Sequence, residues 1–234
     1  MRKMTFPYKL IDLTHVLDST IPTWPGGCGF HHDVHIDYAD CEGEDTFRVM
    51  KIGMHAGIGT HMDAPSHCFA RRKSIHDFDV NDLVMPCIVM DVSDQCHERY
   101  SLSVQNILDF DRIHGPIPKG CCVFVNTGWS QFWNDPLKYR NNHVFPSVSA
   151  DAASLLLDRG VNALGIDTLS PDRPEDGFPV HRLFLGADKI LIENVANLES
   201  MPPADGFAMV LPMKIKDGTE APVRLVGLIE REVK

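Results

Sequence analysis

The chain has 234 residues, 44% hydrophobic and 23% charged, which is ordinary for a soluble protein and enough to bury a substantial core as a single domain over 1–234. Its 32 acidic against 22 basic residues give a formal net charge of -10, and no basic stripe extends beyond Arg71, Arg72 and Lys73, so nucleic acid is excluded as a partner. No apolar run approaches the roughly 20 residues of a membrane span, and seven scattered cysteines without a CxxC pair point to free thiols in a reducing, cytoplasmic setting.

Taken in order, the first residues carry early basic side chains with no apolar stretch after them, the pattern of an unprocessed start. IPTWPGGCG (21–29) is a loop by its Pro and Gly content and carries Trp24. His31, His32, Asp33 and His35 lie among other charges and read as a solvated strand or loop face. Then comes HAGIGTHMDAPSHC (55–68), with three histidines and an aspartate in a turn-rich frame.

Beyond it, PCIVMDVS (86–93), GCCVFVNTG (120–128), VNALGIDTLS (161–170) and DKILIENVAN (188–197) read as short apolar strands ending in polar residues. Polar residues at strand ends are where α/β folds build sites. SLSVQNILDF (101–110) reads as a helix, and SVSADAASLLLDRG (147–160) as another, with Ser149 as its N-cap and Gly160 as its stop. Strand, helix and strand over 120–170 fit a crossover between parallel strands. The final stretch alternates apolar residues on both sides of Asp217-Gly218, the pattern of a hairpin. The fold class is therefore α/β, with mixed β-sheets and flanking helices.

Zinc and manganese accept imidazole nitrogen and carboxylate oxygen at about 2.0–2.2 Å. His61 and Asp63 are two apart, hence on one side of an extended segment, and His55 shares that parity. Pro65 fixes φ and allows a turn that brings His67 back over an ion. Glu193, near the end of an apolar strand, is costly to bury unless paired or bound to a cation. Twelve histidines cluster somewhere by chance, and a strand-end carboxylate facing solvent is the bland alternative. Cys68 reads as a small buried thiol, Cys121-Cys122 as strand core, and Thr60 as a residue that holds the turn through its hydroxyl.

GTHMDAPSH (59–67) resembles the GTHxDAPxH signature of the metal-dependent cyclase family, which includes bacterial kynurenine formamidases and isatin hydrolases. IDLTHVLDSTIPTWPG, NTGW (126–129), GIDTLSPD (165–172) and PVHRLFLGADKILIENVANL resemble further segments of that family. The resemblance implies a swivelling β/β/α-type cyclase fold and a divalent metal, zinc or manganese. It implies His61, Asp63, His181 and Glu193 as ligands, Glu193 also as a catalytic group, and His67 as the proton-transfer residue. Family members place a first ligand histidine four residues before the GTH histidine. That position is Gly57 here, and His55, six before, is the nearest replacement.

The implied activity is hydrolysis of an amide or cyclic amide, arylformamide-like or isatin-like, through metal-activated water. Trp24 and Phe30 are the candidates for stacking on a flat small-molecule substrate, and a homodimer or homotetramer is expected. A lyase or ring-closing enzyme, and a non-catalytic metal- or ligand-binding protein on the same fold, are the competing functions.

Overall fold

A computed structural model describes residues 6–27 and 29–231. The basic residues at the start and Cys28 lie outside the described residues. The strands are β1 (Tyr8–Asp12), β2 (Phe30–Ile36), β3 (Val49–Met54), β4 (His61–Asp63), β5 (Val84–Asp91) and β6 (Ser101–Leu102), then β7 (Cys122–Asn126), β8 (Ser147–Val148), β9 (Ala163–Ile166), β10 (Ile190–Glu193), β11 (Gly206–Pro212) and β12 (Glu220–Glu230). The α-helices are α1 (Val104–His114), α2 (Pro136–Arg140), α3 (Ala150–Asp158) and α4 (Pro179–Gly186).

The four apolar runs read from the sequence are β5, β7, β9 and β10, and they form consecutive parallel neighbours. Helix α3 starts on the Ser149 cap, whose hydroxyl accepts from the Ala152 N–H, and crosses over from β7 to β9. The C-terminal hairpin is β11 against β12, with Asp217 at φ 57° in its turn. Strands β12, β11, β5, β7, β9, β10 and β4 follow one another, and β4 pairs back onto β12. The sheet thus closes into a barrel, with β1 attached along β12.

Strands β7, β9 and β10 are buried on both faces, which is why they are continuous apolar runs rather than alternating ones. Cys122 and Phe124 of β7 join Met62, Ile192 and Ala208 in one cluster, whereas Val123 and Val125 join Leu164, Leu191 and the inward faces of α1, α3 and α4 in another. Removing the fully buried Phe124 ring would cost about 3–5 kcal/mol. A third cluster, including Ile21, Phe30, Ile58, Trp129 and Tyr139, lies under the loop that carries Trp24.

The ribbon β2–β3 stands apart from the barrel sheet, and His32, Asp33 and His35 on it are exposed, as expected of a solvated face. No helix among the described residues is long and apolar enough to cross a membrane, and six described cysteines are free.

Candidate metal centre

Strand β4 lies between β10 and β12, and its register builds the centre. Glu193 stands directly across from His61 on one side, and Glu220 directly across from Asp63 on the other. Alternation puts His61 and Asp63 on one face and Met62 into the apolar cluster on the other. His181 comes from α4, and His67 from the single turn Pro65–His67 that follows β4 at once.

Four of these groups are buried: His61 is 4% exposed, Asp63 1%, His181 7% and Glu193 7%. His61 Nε2 is 3.4 Å from Asp63 Oδ1 and 3.3 Å from Glu193 Oε2. His181 Nε2 is 3.6 Å from Asp63 Oδ2 and 3.5 Å from Glu193 Oε1. Two donors on one ion at about 2.1 Å and the tetrahedral angle lie ~3.4 Å apart, so each imidazole is spaced from both carboxylates as neighbouring ligands are.

Each imidazole is oriented through its other nitrogen. His61 Nδ1 is 2.9 Å from the Gly59 carbonyl, and His181 Nδ1 is 2.8 Å from Asp172 Oδ2. A carbonyl or carboxylate only accepts, so Nδ1 carries the hydrogen and Nε2 is the atom presented to the centre. Asp172 also accepts from the backbone N–H groups of Val180 at 3.0 Å and His181 at 2.9 Å, fixing the first turn of α4. Thr60 holds the approach, its hydroxyl donating to the Asn194 carbonyl at 2.6 Å while accepting from the His15 N–H.

Burial opposes charging both imidazoles, yet Asp63 and Glu193 beside His61, and Asp172, Asp63 and Glu193 around His181, raise both well above the ordinary histidine range. Burial also opposes ionising Asp63, but His181 and His61 pull its carboxyl below the usual carboxylate range. Buried anions of this kind need positive charge in contact with them, and a divalent cation displacing the two imidazole protons supplies it. Asp63 Oδ1 and Glu193 Oε1 are buried without a hydrogen-bond partner. Orphaned acceptors facing imidazole nitrogens fit a metal.

The outer side of the centre is more open. His67 Nδ1 is 3.4 Å from Glu220 Oε2, and the Glu220 carboxylate raises the His67 pKa against the effect of its partial burial. Among the described residues, two triads have donor atoms within 4.8 Å of one another: Asp63, His67 and His181, and His61, Asp63 and Glu220. Asp63 belongs to both.

The centre opens onto a cavity of about 540 Å³ walled by Trp24 and Phe178. Their rings are 5.9 Å apart, and the Trp24 carbonyl is 2.8 Å from His143 Nε2. Phe178 was not singled out in the sequence; it holds a left-handed φ of 58° immediately before α4 and sets its ring 5.9 Å from that of His181. Cys68 also lines this cavity and is exposed rather than buried, and partial burial of its sulfur raises its pKa, so it rests as a thiol.

Two expected site residues stand elsewhere. Phe30 is 7% exposed and packs with Ile21 and Ile58 under the loop, because it opens β2 with its side chain turned into that cluster. His55 is exposed and outside both triads. The parity that linked it to His61 needs one continuous strand, but β3 ends at Met54, the His55 N–H donates to the Gly29 carbonyl, and Gly59 turns the chain at φ 60° before β4 begins. Glu220, like Phe178, was not singled out in the sequence. Its position in GTEAPVR carries no local signal, and only the β12–β4 register brings it to Asp63.

Comparison with known proteins agrees with this frame. The family model described as "Putative cyclase" matches residues 11–173. The kynurenine formamidase of Bacillus cereus is 29% identical over 225 residues, covering 92% of this chain and 95% of that one. Isatin hydrolase A from Ralstonia solanacearum superposes with a TM-score of 0.85 at 26% identity, over 95% of this chain and 92% of that chain. A solved potential metal-dependent hydrolase with cyclase activity superposes with a TM-score of 0.75 at 25% identity, over 97% of this chain and 100% of that one. With the family's segment running from the end of β1 through β9 and the fold shared over 95% of the chain, the chain belongs to the cyclase family.

Proposed function

We propose that this protein is a metal-dependent hydrolase of amide bonds whose substrates are small aromatic amides, either N-formyl arylamines or the lactam of isatin-like rings. The observation that carries the reading is the buried His61, Asp63, His181 and Glu193 group, with both Nε2 atoms aimed at two carboxylates and opening onto an aromatic-walled cavity. The names of the similar proteins, a kynurenine formamidase and an isatin hydrolase, support the substrate class.

His61, Asp63, His181 and Glu193 would hold the ion, zinc or manganese. When bound, it supplies a Lewis acid for the carbonyl oxygen and makes hydroxide available near neutral pH. Trp24 and Phe178 offer aromatic faces to a flat substrate and keep bulk water from that side. As water adds to the carbonyl carbon and the C–N bond breaks, the departing nitrogen needs a proton. His67 keeps its Nδ1 hydrogen toward Glu220 and gives or takes a proton at Nε2, and its raised pKa suits a donor at neutral pH.

The working unit is a homodimer or homotetramer in the cytoplasm. The ribbon β2–β3 supports an oligomer, since Val34, Met50 and Ile52 are 48%, 40% and 63% exposed on one face of a two-stranded element that is weak alone. Free cysteines support the compartment.

The test is metal analysis of purified protein together with hydrolysis assays on N-formylkynurenine and isatin, comparing wild type with His61→Ala. Expected are a bound divalent ion, turnover of at least one of these substrates, and loss of both in the variant. Bound metal with no turnover across amides, lactams and esters would leave a binding protein instead, and a dehydrated or ring-closed product would make the reaction a lyase or cyclase one.

A further inference from the structure

We infer that Glu220 is a direct metal ligand, occupying the place that a side chain at position 57 would otherwise take. The inference rests on the metal-dependent reading above and adds a ligand from the last strand of the barrel.

Three independent observations carry it. First, the β12–β4 register sets Glu220 opposite Asp63 on the same face, and His61, Asp63 and Glu220 bring one donor atom each within 4.8 Å of the others. Second, Asp63 Oδ1 is buried, 1% of the residue being exposed, and has no hydrogen-bond partner, so it presents an unused acceptor within this triad.

Third, a Cβ built on Gly57 would collide with Glu220 Oε1, and would lie 3.0 Å from Glu220 Cδ and 3.3 Å from His61 Nε2. Gly57 is absent from the residues with positive φ, so its backbone has no need of glycine. What a side chain there would meet first is the Glu220 carboxylate, the movable end of its side chain. A residue at 57 and the carboxylate at 220 therefore compete for one volume, directly beside the His61 nitrogen that faces the ion.

Glu220 also stands 3.4 Å from His67 Nδ1, and a purely orienting role for it would act on His67 alone. The ligand role makes a different demand. A carboxylate in place of a nitrogen donor adds a negative charge and a hard oxygen, which shifts preference from zinc toward manganese.

The discriminating experiment is equilibrium dialysis of the full-length protein against Mn²⁺ and Zn²⁺ with metal analysis, accompanied by the visible spectrum of the Co²⁺-loaded protein and thermal melts to confirm folding. Compared are wild type, Glu220→Gln, Glu220→Ala, Gly57→His and the double variant Gly57→His/Glu220→Ala, with His61→Ala as reference. Mn²⁺ affinity should fall at least about tenfold in Glu220→Ala, as loss of even an outer-shell partner does, and the near-isosteric Glu220→Gln should show the same direction.

The double variant should regain binding with zinc now preferred and an altered Co²⁺ spectrum, whereas Gly57→His alone, which sets its ring against the carboxylate, should bind less well than the double variant. Wild-type affinities in both Glu220 variants, with only activity and its pH profile changed, would overturn the inference and leave Glu220 as an orienting partner of His67. In that outcome a loss of metal in His61→Ala keeps the hydrolase reading intact. A wild-type protein that takes up no ion overturns both.

Discussion

The two halves of the centre are built differently. The inner half, His61, Asp63, His181 and Glu193, is closed off from solvent, and each imidazole has its Nδ1 fixed by an acceptor. The outer half, His67 and Glu220, has side chains 33% and 23% exposed and pairs at 3.4 Å across the cavity mouth. Burial without full hydrogen bonding marks groups committed to a cation, whereas partial exposure beside a cavity leaves a group free to exchange protons. On the proposed function the inner half would hold the ion, while the outer half would move protons through His67 and, on the inference above, add the Glu220 carboxylate to the ligand set.

The sharpest way to break this division is His67→Ala. If His67 serves proton transfer only, kcat on the best amide substrate should fall on the order of 10²- to 10⁴-fold, while metal content and affinity stay at wild-type values. A variant that loses its metal along with its activity would place His67 in the inner half. Rate measurements paired with metal analysis on the same preparation decide between the two.

A smaller effect tests the inner half from behind. Asp172 does not itself line the cavity; it accepts from His181 Nδ1 and from two N–H groups at the start of α4. Asp172→Asn removes the charge that steadies the ring and disturbs the helix start. Metal affinity should drop roughly 10–100-fold, with about 1 kcal/mol of stability lost on top. Chelator competition and a thermal melt measure the two separately. An unchanged affinity would show that packing alone orients His181.

How far the sequence carried follows from which contacts are local. The apolar runs of β5, β7, β9 and β10 and the Ser149 cap could be read directly, because burial on both faces and capping leave local patterns. Helix α4 could not. It has eight residues, begins with proline after a left-handed Phe178, and takes its capping carboxylate from Asp172, well outside the usual N-cap position. Barrel closure through β12–β4 was equally hidden, and Glu220 with it. His55 failed for the opposite reason: a parity rule was applied across a turn that the sequence marks only with glycines. The residues that the structure brings together, His61, Asp63, His67, His181 and Glu193, all lie in HAGIGTHMDAPSHC or PVHRLFLGADKILIENVANL.

The last expected effect is on stability rather than on metal or rate, and it asks whether buried histidine always signals a site. His15 stacks on Trp133 at 3.9 Å with 7° between the ring planes, and its buried Nε2 has no partner. Here no carboxylate offsets burial, so the pKa is pushed down from 6.5 to about 4. The folded state thus binds fewer protons than the unfolded chain between those values, and stability from this group is present above pH 6.5 and lost as pH falls toward 4. The full difference is about 3 kcal/mol, or a shift in Tm of roughly 6–12 °C for a chain of this size. Asp167 works in the opposite direction, its buried carboxyl raised to about 6, so the wild-type profile mixes the two. Comparison with His15→Phe, which keeps a stacked ring, isolates the histidine. The gap in Tm between variant and wild type should widen in favour of the variant as pH drops from 6.5 to 4. A constant gap would mean that His15 charges freely in the folded state, and that its burial differs from that of His61 and His181 less than the missing carboxylates imply.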